Sequence, residues 1–597
     1  MCIKVSLLTG GARDLPARQQ TLRNTIAWSY ELLSQEEQRM FRLLSVFSNG
    51  CPLQAIEVLH PSPDEKSNQC VCLISALLDK HLLRRSALEH TEPRFHMLET
   101  LREFGLECLA ASGEEHQIHL AHLQYYLQMV EEAELALGGP QQTTWYDQLE
   151  REHENLRVAL QWAGSQYEQQ TVLELALRLA GSLSRFWVVR GYISEGQQVL
   201  TTLLASSKGI APSAYAKALG SAGWLALWQG EYRQAKASCE QSLALYQALE
   251  DARGIALAIY RLGHVMSALG TMSEARCFLE QSVEYFTQLG DEEHKAFALL
   301  ALVLTALRTS DTPAKQGTYP LIETCLGRFR LLAHQEGMAW SLFCLGLHHL
   351  RRQDGFAARS SFEESLALFQ TSEYRLCRAH VLYYLGKASV EQEDLPAAQR
   401  FFLESLELFV DMHDPVGSAA SLDVWGEAVA RYGALAWAAQ LWGCAEVQRH
   451  TTGADLFPLF TLSHEHAALE HRKAAVRMQL GEQIFTKVWA EGCAMTPEDA
   501  MHAQSIERLL KLPSSRVQRS TSTHFQRLMG SDTINELTGR EREVLHLIAQ
   551  GLTDTQIAEV LVISPRTVNA HTRSLYSKLG ITSRSAATRY ALQHHFR

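Results

Sequence analysis

Apolar residues recur along most of the chain at the three- and four-residue spacing of amphipathic helices, and the middle of the chain also repeats as a whole. Four segments read alike, each with a central serine: EQSLALY (Ser242), EQSVEYF (Ser282), EESLALF (Ser365) and LESLELF (Ser405). A glycine precedes each serine at the same separation: Gly223, Gly263, Gly346 and Gly386. The spacing from Ser242 to Ser282 equals that from Ser365 to Ser405. Between Ser282 and Ser365 there is room for one degenerate copy, which has Cys325 at the serine position and Ala306 at the glycine position. The period is therefore about 40 residues, and one step is three positions longer.

Each repeat contains two apolar-periodic stretches separated by a turn such as WQGEY (228–232), which predicts a helix, a tight turn and a second helix. The glycine lets the two helices approach closely, and such pairs stack into a superhelix because they cannot bury their apolar faces alone. The LG, G-x-Y and small-residue positions resemble tetratricopeptide repeats, although the period is longer than the usual unit, and HEAT-like pairing is the alternative. The concave surface suits a protein or small-molecule effector; the alternative is a spacer without a ligand.

The C-terminal segment carries strong helix-capping signals. Capping motifs precede three successive apolar-periodic stretches: Thr538-x-x-Glu541, Thr553-x-x-Gln556, and Ser564 followed by Pro565. The three predicted helices end near Gln550, Leu561 and Leu579, and glycines follow the first and the third. Ser583 caps a predicted fourth helix. Helices joined by such short turns indicate a helix-turn-helix arrangement.

The third of these helices has one polar and one apolar face at about 100° per residue. The polar face holds small, amide and basic residues: Asn569, Arg573, Arg566, Ser577 and Ala570. The opposite face, predicted to be buried, holds His571, Leu575, Val568 and Leu579. A helix divided in this way can lie in the DNA major groove, where Asn pairs with adenine and Arg bridges guanine O6 and N7. The alternative is a solvated basic face on an ordinary helix.

The charge distribution favours a nucleic-acid partner at this end of the chain. The chain as a whole has 55 basic and 66 acidic residues, yet Val560 to Arg597 contains six basic residues and no Asp or Glu. A carboxylate facing the phosphate backbone would be repelled. Residues 537–591, which open with LTGREREVL and include Thr567-Val568 and Lys578-Leu579, resemble the DNA-binding domain of LuxR-type transcription regulators.

This resemblance implies dimeric binding to double-stranded DNA through the fourth helix, Ser585 to Gln593. The base-reading positions of the family would fall on Asn569, Ala570 and Arg573. Family members often have Lys at those positions, so the resemblance does not specify the target sequence. The predicted phosphate contacts are Arg566, Thr567, Lys578 and Arg584.

The N-terminal part of the chain predicts a winged helix. Residues 17–50 show two amphipathic helices, the second opened by the Ser34-x-x-Glu37 capping box, and residues 80–109 alternate like a short hairpin before helical spacing resumes. The pattern resembles the segment that follows the nucleotide-binding core in signal-transduction ATPases of the LuxR-regulator and NB-ARC kind. In such proteins the winged helix packs against that core as a switch; a second DNA-binding role is the alternative.

The sequence contains no phosphate-binding loop of the form GxxxxGK[ST]. Gly386-Lys387 is the nearest approach, but Val381 and Ala388 replace the first glycine and the hydroxyl residue. The pair also occupies the LG position of a repeat. The ATPase core of the family is therefore expected before residue 1, and the chain resembles the C-terminal portion of such a regulator.

The sequence therefore predicts a mainly all-α protein. Its expected parts are residues 1–16, a remnant or linker; 17–110, the winged helix; 111–165, connecting helices; 166–495, an α-solenoid of tetratricopeptide-like pairs; 496–534, a linker; and 535–597, a four-helix LuxR-type domain.

We expect a cytoplasmic, sequence-specific DNA-binding transcription regulator, not an enzyme, with no cofactor and no metal site. No apolar run long enough for a membrane span is present, and the 12 scattered cysteines fit free thiols in a reducing compartment. The alternatives are a protein-interaction scaffold and the C-terminal half of an ATP-dependent regulator.

Overall fold

The computed structural model describes residues 22–60, 68–86, 93–206, 211–308, 317–370, 374–452, 463–502, 539–549, 552–561, 564–579 and 587. The chain divides into two compact units, Met1–Lys511 and Leu512–Arg597. Helices dominate both units, as the sequence predicts. Within the described ranges, no helix is long and apolar enough to span a bilayer.

The first unit begins with helices around a small antiparallel sheet. The elements are α1 (Leu22–Glu31), α2 (Gln35–Leu44), β1 (Cys51–Pro52), α3 (Leu53–Leu59), α4 (Asn68–Asp79), β2 (Arg84–Ser86), β3 (Arg94–His96) and α5 (Glu99–Ser112). The strand order is β1-β3-β2, and the β2–β3 pair is the hairpin expected from the alternating pattern. The Ser34 capping box is confirmed, because the Ser34 N–H donates to Glu37 Oε2 (2.8 Å) and the Glu37 N–H donates to Ser34 Oγ (3.3 Å). This order of helices and strands is that of a winged helix.

A buried carboxylate joins the winged helix to the connecting helices α6 (Glu115–Ala136), α7 (Gln142–Arg151) and α8 (His153–Ser165). Glu152 accepts hydrogen bonds from Arg94 on β3, from the Tyr126 hydroxyl (2.8 Å) and from Asn155 Nδ2 (2.8 Å). Asn155 in turn donates to the carbonyl of Gly50 (3.0 Å). A buried charge that is paired and hydrogen-bonded in this way fixes the junction between the two parts.

Helix pairs follow as predicted. After α9 (Gln170–Ser182), α10 (Ser184–Arg190) and α11 (Ile193–Ser206), the pairs are α12 (Pro212–Trp228) with α13 (Tyr232–Ala248), α14 (Ala252–Ala268) with α15 (Met272–Leu289), α16 (Glu292–Arg308) with α17 (Thr318–Leu331), α18 (Gln335–Arg351) with α19 (Gly355–Gln370), α20 (Arg375–Glu391) with α21 (Leu395–Asp411), and α22 (Pro415–Arg431) with α23 (Leu435–Thr452). Each first helix packs on its own second helix and on neighbouring pairs, so the apolar faces are buried by stacking.

The repeated glycine is the point of closest approach between the two helices of a pair. A Cβ added at Gly386 would lie 2.4 Å from the Phe402 ring, and one at Gly223 would lie 2.6 Å from Cys239 Sγ. The same contact recurs at the same sequence separation in the other pairs: Gly263 with Leu279, Gly346 with Phe362, and Gly426 with Trp442. The predicted role of this glycine is confirmed.

The repeated serine satisfies its buried hydroxyl on the first helix of its own pair. The bonds run from Ser242 to the carbonyl of Ala216 (2.7 Å), Ser282 to Ala256 (3.3 Å), Ser365 to Ala339 (2.8 Å) and Ser405 to Ala379 (2.8 Å). In the degenerate copy, Cys325 Sγ lies 3.6 Å from the carbonyl of Ala296, which confirms Cys325 as the counterpart of the serine. The serines are therefore structural residues.

Ala306 is not the counterpart of the repeated glycine. The carbonyls that accept the serine bond come from Ala256, Ala296 and Ala339, so the glycine position, seven residues later, falls on Val303 in this copy. The three extra residues of the longer step lie between the helices of the pair, after α16. Counting back from Cys325 by the spacing of the other copies crosses this insertion and gives the wrong position. Val303 is buried, as expected at a helix contact.

The packed part of the first unit extends past the predicted boundary at residue 495. After α24 (Ser463–Leu480) and α25 (Glu482–Cys493), a short helix, α26 (Pro497–His502), buries Ala500 in the cluster that contains Trp442 and Phe485. The linker therefore begins later than residue 496. The rest of the expected linker, residues 503–534, and the remnant 1–16 lie outside the described residues.

The second unit contains α27 (Gly539–Ala549), α28 (Asp554–Leu561) and α29 (Pro565–Leu579). All three helices contribute to one core: Val544, Leu545, Leu547, Ile548, Ile557, Ala558, Val568 and Leu575, joined by Ala587. Of the predicted fourth helix, Ala587 alone is described. The observed bounds agree with the three predicted helices to within one residue at their C-terminal ends.

Candidate nucleic-acid interface and repeat cavity

The predicted caps set the start of α28 and α29. The Thr553 N–H donates to Gln556 Oε1 (2.8 Å) and the Gln556 N–H donates to Thr553 Oγ1 (3.4 Å), so this capping box is confirmed. The Thr567 N–H donates to Ser564 Oγ (3.1 Å), which confirms Ser564 as the cap of α29. Thr538, the first residue of the other predicted box, lies outside the described residues.

Two polar contacts hold α27 against the other helices. Arg540 Nη2 donates to the carbonyl of Leu561 (2.7 Å), which satisfies the C-terminal end of α28. Glu541, whose side chain is 4% exposed, accepts from Ser574 Oγ (2.7 Å) and Lys578 Nζ (2.8 Å) on α29. The sequence indicates Glu541 only as a capping residue, because nothing in the pattern joins it to residues 33 and 37 positions later. Glu541 therefore fixes the angle at which α29 leaves the core.

Where the side chains of α29 are described, its two faces separate as predicted, with one difference. Val568 and Leu575 are fully buried, while Asn569 and Arg573 are exposed. His571 is only half-buried, since it lies at the edge of the apolar face, and Thr572 is buried in its place. The Thr572 hydroxyl donates to the carbonyl of Val568 (2.9 Å), so it packs there without an unsatisfied polar atom.

The structure describes the side chains of four of the seven residues predicted to contact DNA. Asn569 and Arg573 lie one turn apart on the exposed face, and Thr567 is exposed at the start of the helix. Lys578 is partly exposed and paired with Glu541. The side chains of Arg566 and Ala570, and the whole of Arg584, lie outside the described residues. The base-reading and phosphate-binding roles stay predictions.

Gly386-Lys387, the nearest approach to a phosphate loop, lies inside helix α20. Gly386 faces Phe402, and Lys387 Nζ lies 5.2 Å from the Tyr384 ring centroid. The backbone N–H groups of a helix interior are committed to the helix, so they cannot wrap around a phosphate. Packing accounts for this pair.

A cavity of about 180 Å³ lies inside the superhelix, between α10, α12, α14, α16, α18 and α20. Its walls are mainly aromatic and aliphatic: Trp224, Trp228, Tyr260, Phe297 and Trp340 supply rings, and Val188, Val189, Leu257, Leu300 and Leu304 supply aliphatic groups. The cavity exists because the superhelix turns back on itself. Tyr146 on α7 meets Tyr374 beside α20 with ring centroids 5.6 Å apart.

Charged residues form one wall of this cavity. Arg185 Nη2 lies 2.7 Å from Glu336 Oε2, and its Nη1 lies 3.2 Å from Glu293 Oε1. His334 Nε2 lies 3.1 Å from Glu293 Oε1, and Gln142 Nε2 donates to Glu336 Oε2 (3.3 Å). We call Gln142, Arg185, Glu293, His334 and Glu336 the clasp, because it ties α7 and α10 to α16 and α18.

Two members of the clasp, Arg185 and Glu293, stabilise each other's charged forms. Burial alone would lower the pKa of Arg185, but Glu336, Tyr146 and Glu293 raise it well above its ordinary value. Burial alone would raise the pKa of Glu293, but the hydrogen bond with His334 and the charge of Arg185 hold it well below its usual range. Glu293 and Glu336 occupy the same repeat position, but the sequence gives no signal that joins them to Gln142 and Arg185, since members of the clasp are up to 194 residues apart.

Comparison with known proteins supports the assignments of the repeats and of the C-terminal domain. Residues 535–591 match the family model for bacterial regulatory proteins, luxR family, and residues 337–409 match a tetratricopeptide repeat model. A Mycobacterium bovis protein assigned as an HTH-type transcriptional regulator, Mb0914c, is 24% identical to this chain. The alignment covers 97% of this chain and 75% of the length of Mb0914c. The nitrate/nitrite response regulator protein NarP of Escherichia coli is 53% identical over 62 residues, which cover 10% of this chain and 29% of NarP.

A crystal structure of a signal-transduction ATPase with a tetratricopeptide repeat sensor, from Pyrococcus horikoshii, is 13% identical and has a TM-score of 0.43. The match covers 82% of this chain and 66% of that one, slightly under two thirds of its length. The predicted relation of the N-terminal segment to the NB-ARC kind of ATPase stays a prediction. The matches establish tetratricopeptide repeats in the middle of the chain and a LuxR-type helix-turn-helix domain at its end.

Proposed function

We propose that the chain is a sequence-specific DNA-binding transcription regulator in which α29 enters the major groove and the repeats bind an effector. One observation carries the proposal: α29 buries Val568 and Leu575 and exposes Asn569 and Arg573, within the segment that matches the luxR family. A helix held by its apolar face and exposing an amide and a guanidinium one turn apart has the form of a recognition helix.

The base-reading residues are Asn569, Ala570 and Arg573. Asn569 can bond the N6 and N7 atoms of adenine, and Arg573 can bond O6 and N7 of guanine. Ala570 is small enough for contact with a thymine methyl group. Because Asn and Arg read different bases, the preferred site contains both an A·T and a G·C pair within each half.

The phosphate contacts are Arg566, Thr567, Lys578 and Arg584. Cations on the phosphate backbone release condensed counterions, so binding weakens as the salt concentration rises. Lys578 contributes less than a free lysine would, because Glu541 already pairs with it. Thr567, exposed at the first turn of α29, lies where helix N-termini approach phosphates.

Two copies bind together through the fourth helix, Ser585–Gln593, so the target has two related half-sites. The regulator acts in the cytoplasm. The repeats supply the effector site, and the cavity within the superhelix is its location in this proposal.

Selection of duplexes from a random pool by the full chain tests the proposal. We expect one enriched motif with approximate two-fold symmetry. The double variant Asn569→Ala, Arg573→Ala should enrich no motif while it keeps its circular dichroism spectrum. Arg276→Ala, which removes an exposed cation from α15, is the matched control and should enrich the wild-type motif. If the folded wild-type chain enriches nothing, the scaffold alternative is correct instead.

A further inference from the structure

The cavity walls use the same repeat positions with different side chains. Trp224, His264 and Leu304 follow one another at the repeat spacing and all line the cavity; Leu257, Phe297 and Trp340 occupy another shared position. The glycine and serine positions of the same helix pairs, in contrast, hardly vary. Packing between helices therefore fixes one face of each first helix, whereas the side chains of the lumen face differ from pair to pair and contact one another, as Trp224 contacts Tyr260 and His264. This difference points to a ligand as the reason for the lumen side chains.

The charged wall has more negative than positive groups. Glu293 and Glu336 share one guanidinium, that of Arg185. The Gly337 N–H donates to His334 Nδ1 (3.0 Å), and His334 Nε2 lies 3.1 Å from Glu293 Oε1 and 3.2 Å from Arg185 Nη2. Within the clasp, two carboxylates therefore share one guanidinium.

The cavity also has cations outside the clasp, since Arg261 lines it and Arg308 lies near enough to His264 to act on that ring. A Cβ added at Gly220 would meet Arg261 Nη1 at 2.6 Å and Ser242 Oγ at 2.9 Å, so the Arg261 guanidinium reaches into the packing between α12 and α13. Burial and the charge of Arg308 lower the pKa of His264 to about 4, so its ring is neutral near pH 7. His294 Nδ1 lies 3.0 Å from Asp291.

Among the described residues, one oxygen of each carboxylate has no hydrogen-bond donor, although Glu293 Oε2 packs against Gly138. Glu293 Oε2 and Glu336 Oε1 accept no hydrogen bond from any residue in the described part of the chain. The side chains of Glu293 and Glu336 are 20% and 13% exposed, so neither is sealed from solvent. Two open carboxylate oxygens beside aromatic rings favour a ligand that donates hydrogen bonds and carries a positive charge.

We propose that this cavity binds a small organic cation, a protonated amine that carries one apolar group about the size of a benzene ring. The ammonium meets the free oxygens of Glu293 and Glu336, and the apolar group packs among Tyr260, Phe297 and Trp340. The wall already accommodates one cation in this manner, since Arg185 Cζ lies 5.9 Å from the Phe297 ring centroid. A volume of about 180 Å³ is close to that of protein cavities that take up one benzene molecule, about 150 Å³.

The same site would connect the ligand to the rest of the first unit. Glu293 and Glu336 hold Arg185 on α10, so a bound ammonium shares those carboxylates with the clasp and changes how firmly α10 is held to α16 and α18. This regulatory consequence rests on the proposed function, because only a DNA-binding protein can convert it into regulation. Binding of the cation itself does not depend on DNA.

Calorimetry on the full chain without DNA tests the site with three probes of similar shape. Phenethylamine should bind in a saturable manner, phenethyl alcohol about tenfold more weakly, a difference of about 1.4 kcal/mol, and phenylacetate not at all. A preference for phenylacetate, or equal affinity for the amine and the alcohol, would overturn the proposal. Loss of DNA binding in the separate duplex selection leaves this result unaffected, so the two proposals fail independently.

Three variants complete the experiment. Glu336→Gln should weaken phenethylamine binding about tenfold or more, because it removes one carboxylate charge and keeps the shape. Ala301→Phe should abolish binding of both the amine and the alcohol, because it fills the cavity. Glu364→Gln, an exposed carboxylate on α19, is the matched control and should bind as the wild type does. If Glu336→Gln does not fold, Ala301→Phe and the three probes still decide, and unchanged binding in Ala301→Phe contradicts the proposed location.

Discussion

The repeats and the C-terminal domain are both built from paired helices, but their recurrent residues do opposite things. In the repeats, the recurrent serine turns inward, as when Ser405 bonds the carbonyl of Ala379, and the recurrent glycine meets its partner helix. In the C-terminal domain, the residues that the family resemblance singles out for DNA contact include Asn569 and Arg573, which face solvent. In the repeats, the periodic residues therefore identify structural positions. In the C-terminal domain, the family motif identifies the candidate contact surface.

This difference teaches where to look for function in each region. A repeat protein keeps the residues that every helix pair needs and is free to vary the rest. Its ligand-binding residues are therefore expected among the positions that change from pair to pair, such as Trp224, His264 and Leu304. A recognition helix must instead present its reading residues on one face, so a sequence pattern can reveal them directly.

The clasp gives the strongest test of whether charged residues that line the cavity also hold the superhelix together. Arg185→Met should destabilise the first unit by about 3–5 kcal/mol, because it leaves two partly buried carboxylates without their guanidinium. Arg375→Met is the matched control: its pair with Asp411 is exposed and is worth about 0–1 kcal/mol. Chemical denaturation followed by far-ultraviolet circular dichroism measures both. Equal stability of the two variants would mean that the clasp does not hold the superhelix closed.

A second test concerns pH and the connecting helices. Burial, with a smaller contribution from His119, lowers the pKa of His122 to about 3, far below the ordinary value of 6.5. The unfolded chain takes up this proton near pH 6.5 and the folded chain does not, so stability is complete above pH 6.5 and falls as the pH approaches 3. The loss is about 1.4 kcal/mol for each pH unit inside this window.

His122→Leu should remove that part of the acid dependence, because leucine binds no proton in either state. His471→Leu, which changes an exposed histidine on α24, should leave it unchanged. Denaturation midpoints at a series of pH values from neutral to mildly acidic compare the three proteins. If the wild type and His122→Leu lose stability in parallel, the imidazole is not held neutral by its surroundings. Such a result would remove His122 from the acid response of this unit.

The sequence predicts most of the repeat architecture because one physical requirement recurs at one spacing. Gly386 and Ser405 can be identified from periodicity, since each pair needs the same close contact and the same hydroxyl bond. The misassignment of Ala306 has a definite cause, since an insertion between two helices shifts any count that crosses it. The clasp could not be predicted, because Gln142 and Glu336 meet only when the superhelix closes on itself.

The candidate DNA interface was predictable for a different reason. The caps at Thr553 and Ser564 act over three residues, so the helix starts follow from local sequence. The position of Asn569 and Arg573 on the same face of α29 follows from helical geometry once the bounds of the helix are known. The contact between Glu541 and Lys578 could not be predicted from local sequence, because it depends on how α27 and α29 cross.

Two glycines in the repeats test, with a smaller expected change in stability, whether a recurrent glycine is needed for packing. Gly386→Ala should destabilise the first unit by about 1–3 kcal/mol, because its Cβ would lie 2.4 Å from the Phe402 ring. Gly327→Ala, at a non-recurrent helical position with nothing within 4 Å, should stabilise it by about 0.5–1 kcal/mol. Denaturation curves of the two variants should move in opposite directions from the wild type. A shift in the same direction would mean that the close approach at Gly386 relaxes easily.

The smallest expected effect concerns Lys578, a predicted DNA contact that the structure also gives an internal partner. If the ammonium reaches a phosphate, Lys578→Ala should make the slope of log K against log salt shallower by about one unit and weaken binding to all duplexes alike. If it serves only to orient α29 through Glu541, the slope should stay the same while preference for the selected motif declines.

Titrations of the full chain at several salt concentrations, on the selected motif and on a scrambled duplex, separate the two roles of Lys578. Arg573→Ala provides the reference for a base-reading residue, with a cost of about 1–3 kcal/mol at one base position. Because Lys578 lies at the exposed edge of its pair with Glu541, its ammonium can bond a phosphate oxygen while it keeps the internal carboxylate. We therefore expect a shallower slope together with a modest loss of preference, and an unchanged slope would remove Lys578 from the phosphate set.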